Sequence, residues 1–302
     1  MAPDADCLSD KVDVTAEVVA AGGSRSGDVS TEPGAHYDRV TEAWRYLIGD
    51  DLHVGYFKDA SFGLREATLA LSELMAETAG FRSGARVLDV GCGTGNPAIY
   101  LRSKYGCDVV GISNSPVGVR LAQEKAMRAG VEDRVKFQVE DGTATSFASK
   151  SFDCVWVMES SHLMPEKERL IKECARVLRK DGRVVLCDLV LRRAIPVSPT
   201  VTFLHDMMVL QEVYGKSELL LIESYVQQFR ACGLRAEGRD ISEEVLPTFA
   251  RWRENGERHA VRVGEILGEA HLRRFMRSCD IMTRLFEDGQ LGYCIVSAGK
   301  PV

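Results

Sequence analysis

Short apolar runs alternate with amphipathic stretches along most of this chain. Helical spacing first appears over Tyr37–Ile48, with Val40, Trp44 and Leu47 on one face. Leu64–Ala79 is a second helix, and Gly80 supplies its stop. From Arg86 strands and helices alternate: strands at Arg86–Val90, Asp108–Ile112, Val135–Val139, Asp153–Met158 and Arg183–Leu191; helices at Asn96–Tyr105, Ser115–Ala129 and Lys167–Arg179. Leu170, Ile171, Cys174, Val177 and Leu178 share a face of the last helix, and Asp181-Gly182 reads as a turn into the fifth strand. Several strands are nearly unbroken apolar runs, as expected of a parallel sheet covered by helices on both faces.

The alternation stops at Arg192. An apolar, methionine-containing stretch follows to about Tyr225, then a helix over Ile222–Cys232 and a strand over Arg235–Ile241. Helical stretches near Leu246–Arg262 and Gly264–Phe286 precede a last strand at Tyr293–Ser297. The expected fold class is α/β, a Rossmann-like sheet with helices on both faces and a helical cap inserted after strand five. The expected organisation is a disordered tail over residues 1–34 and one domain over 35–302, with cap segments at about 192–230 and 246–288.

Composition narrows the function. The net charge of −6 lacks the basic footprint of a nucleic-acid binder. No apolar run reaches the roughly 20 residues needed to span a bilayer, and the acidic N-terminus is unlike a secretory signal. Nine cysteines without a C-x-x-C pair argue against a disulfide framework or a structural zinc and for a reducing, cytoplasmic setting. No metal site is expected. The expected partner is a small molecule, not nucleic acid or membrane, and homo-oligomerisation is left open.

The most specific signal is Val87-Leu88-Asp89-Val90-Gly91-Cys92-Gly93-Thr94-Gly95. Glycines ending a first strand let the backbone turn tightly and approach a ligand closely. The spacing is G-x-G-x-G with Asp89 two residues before it, and strand two ends in Ile112-Ser113-Asn114 rather than in an acidic residue. A nicotinamide fingerprint, G-x-G-x-x-G followed by an acid after strand two, is therefore disfavoured.

This loop resembles the cofactor motif of S-adenosylmethionine (SAM)-dependent methyltransferases of the Rossmann-like class. The resemblance extends over about residues 36–302. It is closest to small-molecule enzymes of natural-product pathways, such as sugar O-methyltransferases, and looser to sterol methyltransferases. It is carried by Leu52-His53-Val54-Gly55-Tyr56, Val87–Gly95, Gly111-Ile112-Ser113, Glu140-Asp141, Ser151-Phe152-Asp153, Glu159-Ser160-Ser161-His162 and Val177–Gly182. It implies SAM as cofactor, with Asp89, Gly91 and Gly93 at its methionine end and Gly95 among the cofactor-binding residues. Ile112 and Ser113 would lie against the adenosine, and Asp141, beside Gly142, would accept from the adenine amino group, as an acceptor-only carboxylate can. Many SAM enzymes grip the ribose with an acid where Ser113 and Asn114 stand.

For the chemistry, His162 follows strand four at the edge where such sheets bind ligands, has the pKa class of a general base, and matches a histidine in the resembling sugar O-methyltransferases. Asp188 interrupts the apolar run Val184–Leu189 and matches a catalytic acid there; a purely structural carboxylate fits equally. Glu159 ends strand four, where it could orient His162 or face the cationic cofactor. Tyr37 and Tyr56 could close over SAM or simply pack. The leading expectation is methyl transfer to a hydroxyl or amine of a secondary metabolite, as in antibiotic biosynthesis, with His162 as base. The alternatives are C-methylation of an isoprenoid or sterol-like alkene with Glu159 as proton acceptor, and a SAM-binding protein without turnover.

Overall fold

The computed structural model describes residues 33–196 and 199–300, with the side chains of 33–39 left out; the expected tail over 1–34 lies almost wholly outside the described residues. The sheet has seven strands in the order β3-β2-β1-β4-β5-β7-β6. They are β1 (Arg86–Val90), β2 (Asp108–Ser113), β3 (Val135–Val139), β4 (Phe152–Met158), β5 (Leu178–Leu191), β6 (Arg235–Asp240) and β7 (Leu291–Gly299). β1 to β5 are parallel, and β7 inserts antiparallel between β5 and β6. The α/β sheet expected from the apolar runs is therefore present, with one antiparallel strand.

Alternate residues of the strands feed two separate cores, one on each face. Val87, Trp156, Cys187 and Ile295 belong to one, and Leu88, Val157, Leu186 and Val296 to the other. Three helices within the alternating part are α3 (Asn96–Tyr105), α4 (Pro116–Arg128) and α5 (Lys167–Val177), after α1 (Pro33–Leu47) and α2 (Leu64–Ala79) at the start of the described chain. α5 ends earlier than its periodicity predicts. Leu178 is already a strand residue paired with Phe152, and the register then shifts so that Arg183 pairs with Cys154. The expected turn at Asp181-Gly182 lies inside this irregularity, where a Cβ on Gly182 would stand 2.8 Å from the Asp153 carbonyl oxygen.

After β5 come α6 (Val201–Tyr214) and α7 (Ile222–Ala231), then after β6 α8 (Ser242–Val245), α9 (Pro247–Arg258), α10 (Ala260–Leu267) and α11 (Glu269–Glu287). α7 packs on β6 and β7, burying Tyr225 and Phe229, and so serves the sheet. α6 instead packs on α11, to which Asp206 and Arg284 tie it by an ion pair. Tyr214 touches both Trp44 of α1 and Trp252 of α9, with ring centroids 6.1 and 6.3 Å apart. Tyr214 and Trp252 thus hold the helices together.

Strand order reverses at β1, whose neighbours are β2 on one side and β4 on the other. Ligands of open parallel sheets bind outside the carboxyl ends at such a point, and the chain places Asp89, Ser113 and Glu159 there.

Candidate active site

The loop after β1 is built for close approach. Gly91 and Gly93 have φ of 81° and 51°, a left-handed backbone that side chains disfavour. They differ in what a side chain would meet. A Cβ on Gly91 would fall 2.2 Å from Ser160 Cβ, whereas one on Gly93 would meet nothing within 4 Å because it faces open space. The loop is braced from behind by Lys125 of α4, whose Nζ donates to Thr94 Oγ1 (2.7 Å) and Asn96 Oδ1 (2.8 Å). Asn96 in turn donates to Asp51 Oδ1 (2.9 Å), fastening the segment before α2 to the loop.

Two cavities meet at this loop. The smaller, about 50 Å³, is lined by residues including His53, Asp89, Gly91, Gly93, Met158 and Glu159. The larger, about 430 Å³, runs past Ile112, Ser113, Asp141 and Gly142 to Met164 and Glu166. Asp89 is 2% exposed and its Oδ2 has no hydrogen-bond partner within the described chain. Burial pushes its pKa up to about 7. A buried unpaired carboxylate oxygen is costly unless a cationic or donor group arrives. The ammonium of a SAM methionine is such a group, and the open space in front of Gly93 gives it room. The residues present therefore fit SAM.

Of the expected cofactor residues, Asp89, Gly91, Gly93, Ile112, Ser113, Asp141 and Gly142 line these cavities. Gly95 does not. A Cβ there would meet Phe137 and Ala122 at under 3 Å, so its glycine is required by packing inside the fold. Tyr56 is not brought to the cavities either; its hydroxyl accepts from Arg239 (3.0 Å). The side chain of Tyr37 lies outside the described residues. Asp141 Oδ1 accepts from the Thr143 backbone N–H and hydroxyl, both at 2.8 Å, which shapes its own loop.

His162 and Asp188 are brought together. His162 sits in a single helical turn, Ser161–Leu163, after β4. Its Nδ1 lies 2.6 Å from Asp188 Oδ1 on β5. The other oxygen, Oδ2, accepts from the Ser161 hydroxyl (2.5 Å) and the His162 backbone N–H (2.9 Å). Ser161 Oγ also lies 2.8 Å from Tyr225 Oη, so α7 buttresses the group. Burial alone would raise the pKa of Asp188; the adjacent imidazole and these donors hold it below the usual carboxylate range. An ionised carboxylate accepts only, so it fixes the imidazole with its proton on Nδ1 and its lone pair on Nε2. Nε2 has no partner among the described residues. His162 is 6% exposed and, like Asp188, lines neither cavity; its neighbours Ser160 and Leu163 line the larger one.

Glu159 does not hold this imidazole. Its Oε1 accepts from the Val54 backbone N–H and from the Tyr293 hydroxyl, both at 2.8 Å. Its φ of 47° turns the chain sharply as β4 ends. Burial pushes its pKa up, against the pull of nearby His53.

Comparison with known proteins shows the family. Residues 88–186 match the family model described as a methyltransferase domain. The 27-O-demethylrifamycin SV methyltransferase of Amycolatopsis mediterranei is 34% identical over 271 residues, 89% of this chain and 97% of that protein. The chain belongs to the SAM-dependent small-molecule methyltransferases. Methyltransferase GfsG of Streptomyces halstedii is 32% identical over 90% of this chain and 95% of its own length. Among solved structures, the [4+2]-cyclase SpnF superposes with a TM-score of 0.77 at 28% identity, covering 93% of this chain and all of that one. This methyltransferase acts on a small-molecule acceptor, and its methyl donor is SAM. Among the described residues no helix is long and apolar enough to cross a membrane.

Sequence reasoning missed two residues of the site. His53 lines the small cavity with Nδ1 2.8 Å from the Val54 carbonyl oxygen; it stood inside a quoted motif with no role assigned. Tyr293, which fixes Glu159, comes from the last strand, and nothing local in its apolar surroundings marks it.

Proposed function

We propose that this enzyme O-methylates a hydroxyl of a secondary metabolite, with His162 as general base and Asp188 as the residue that positions it. The observation that carries the reading is the His162–Asp188 pair at the carboxyl edge of the sheet, with Nε2 left free to accept a proton. Bound SAM would supply an electrophilic methyl on a cationic sulfur, whose departure as a neutral thioether needs no acid. The chain's own task is to place the acceptor oxygen in line and to take its proton. His162 Nε2 accepts that proton, and the Asp188 carboxylate stabilises the resulting imidazolium through Nδ1. Asp89 would take the cofactor ammonium, Gly91 and Gly93 would admit its methionine end, and Ile112, Ser113, Asp141 and Gly142 would hold the adenosine end.

The O-methyl assignment draws on the rifamycin relative, whose name states an O-demethylated acceptor, and on the O-methyltransferase cnsE of Penicillium expansum, 28% identical over 89% of this chain. A reducing, cytoplasmic location accords with eight free cysteines among the described residues, seven of them buried. We place the domain at 35–302; of the cap segments expected at about 192–230 and 246–288, the first reduces to α6 (Val201–Tyr214), since α7 packs on the sheet. The test is incubation with labelled SAM and a panel of macrocyclic polyketides, sugars, phenols, amines and prenyl compounds, read by mass spectrometry. Gain of one methyl on oxygen supports the reading. Gain on carbon or nitrogen, or an acceptor that rearranges without gaining mass, overturns it.

A further inference from the structure

The two cavities share a short list of residues: Leu52, Gly91, Gly93, Thr94 and Glu159. Asp89 and His53 face only the small one, and Asp141 and Glu140 only the large one. Glu159 is the ionisable side chain that faces both. In SAM the sulfur is the atom that joins the methionine chain to the ribose. If Asp89 holds one end and Asp141 the other, as proposed above, the sulfur falls where the cavities meet.

The carboxylate there is held asymmetrically. Oε1 is anchored by Val54 N–H and Tyr293 O–H at 2.8 Å each, while Oε2 has no hydrogen-bond partner among the described residues and is not sealed in the interior. The left-handed backbone of Glu159 is a costly conformation for such a residue and turns the chain off the sheet at this point. Around it stand His53 from the segment before α2, Asp89 at the end of β1, Cys187 and Asp188 on β5, and Tyr293 on β7. None of these places a fixed cation such as lysine or arginine against it.

We propose that Glu159 determines the enzyme's preference for SAM over its demethylated product, by reading with Oε2 the charge on the cofactor's sulfur. The methionine ammonium and the adenosine are common to both ligands; the sulfonium charge is not. A carboxylate with one free oxygen in a poorly solvated site attracts a sulfonium and gains little from a thioether. The cation favours the ionised form of Glu159, so any proton held on the buried carboxyl leaves to solvent when SAM binds. After transfer the sulfur is neutral, the attraction is lost, and the carboxyl takes its proton back. The product thereby lets go of a site that held its precursor.

This rests on the proposed cofactor placement, and the experiment separates the two. Isothermal titration of SAM and of S-adenosylhomocysteine into the full chain, from pH 5 to pH 8 in buffers of different ionisation enthalpy, counts protons exchanged by each ligand. The expected result is more protons released with SAM than with S-adenosylhomocysteine. In Glu159→Gln that difference disappears, and the SAM preference falls about tenfold or more, the scale of one lost charge contact at intermediate dielectric. Equal proton counts in the unmodified enzyme, or an unchanged affinity ratio in a folded Glu159→Gln, overturns the inference. Failure of the cofactor placement shows differently: Gly93→Val would then bind both ligands normally. The proton count on the unmodified enzyme needs no variant, so it stands even if Glu159→Gln does not fold.

Discussion

Asp188 receives His162 twice: the ring through Nδ1 at 2.6 Å on one carboxylate oxygen, and the backbone N–H at 2.9 Å on the other. A single buried side chain of β5 thus sets both the path of the turn after β4 and the tautomer of the imidazole it presents. Asp188→Asn separates these tasks. The amide can still accept from the backbone N–H, but its NH2 facing Nδ1 would favour the proton on Nε2, the wrong nitrogen for a base. Turnover should fall about 10²–10⁴-fold while SAM affinity stays within a factor of a few. Rapid turnover in a folded Asp188→Asn would show that the tautomer is irrelevant.

His162→Ala tests the base itself. Turnover should again fall about 10²–10⁴-fold, and the acidic limb of the pH–rate profile should vanish, because the group that must be unprotonated is gone. Combining it with Asp188→Asn should add little, since the two act as one unit. Additive losses would mean that Asp188 serves something other than His162.

The strand and helix rhythm was legible because β1, β4, the second half of β5 and β7 bury both faces, which writes apolar runs into the sequence. The helices after β5 were less so. Their apolar faces pack on one another and on α1, so periodicity alone does not show that Pro247–Arg258, Ala260–Leu267 and Glu269–Glu287 are separate elements. In the site, Asp188 announced itself as a carboxylate inside an apolar run. Its contact with His162, 26 positions away, and the grip of Tyr293 on Glu159, 134 positions away, exist only through strand pairing. Gly95 shows a second physical reason for a glycine in such a loop. Its spacing reads as cofactor loop, yet the space it leaves is filled by Phe137.

The neighbouring glycines should fail in different ways. Gly91→Ala drives a methyl group into Ser160, whose hydroxyl donates to the Val90 carbonyl at the root of the loop. It should lower thermal stability, by about 1–3 kcal/mol as overpacking does, before cofactor binding is even considered. Gly93→Val meets no protein atom with its Cβ, so beyond about 1–2 kcal/mol of left-handed backbone strain its effect should fall on SAM affinity. Thermal melts with and without SAM separate the two. A Gly93→Val protein with unchanged SAM affinity would remove the loop from the cofactor site.

Asp89 makes cofactor binding depend on pH. Burial lifts its pKa from 3.8 to about 7 in the free protein. Because this acid holds its proton more tightly folded than unfolded, it contributes a loss of stability as pH rises from about 4 to about 7, and none further above that. A cationic ammonium beside Oδ2 reverses the preference. Binding should therefore strengthen with pH, by up to tenfold per unit below about 7, and level off above it. S-adenosylhomocysteine carries the same ammonium and should show the same rise, which distinguishes Asp89 from Glu159, whose effect belongs to SAM alone. Asp89→Asn should flatten the rise for both ligands and bind each more weakly at pH 8. Calorimetry from pH 5.5 to 8.5 is the measurement. A pH-independent affinity in the unmodified protein, or a slope that survives in Asp89→Asn, would mean that the unpaired oxygen of Asp89 is answered by something other than the cofactor.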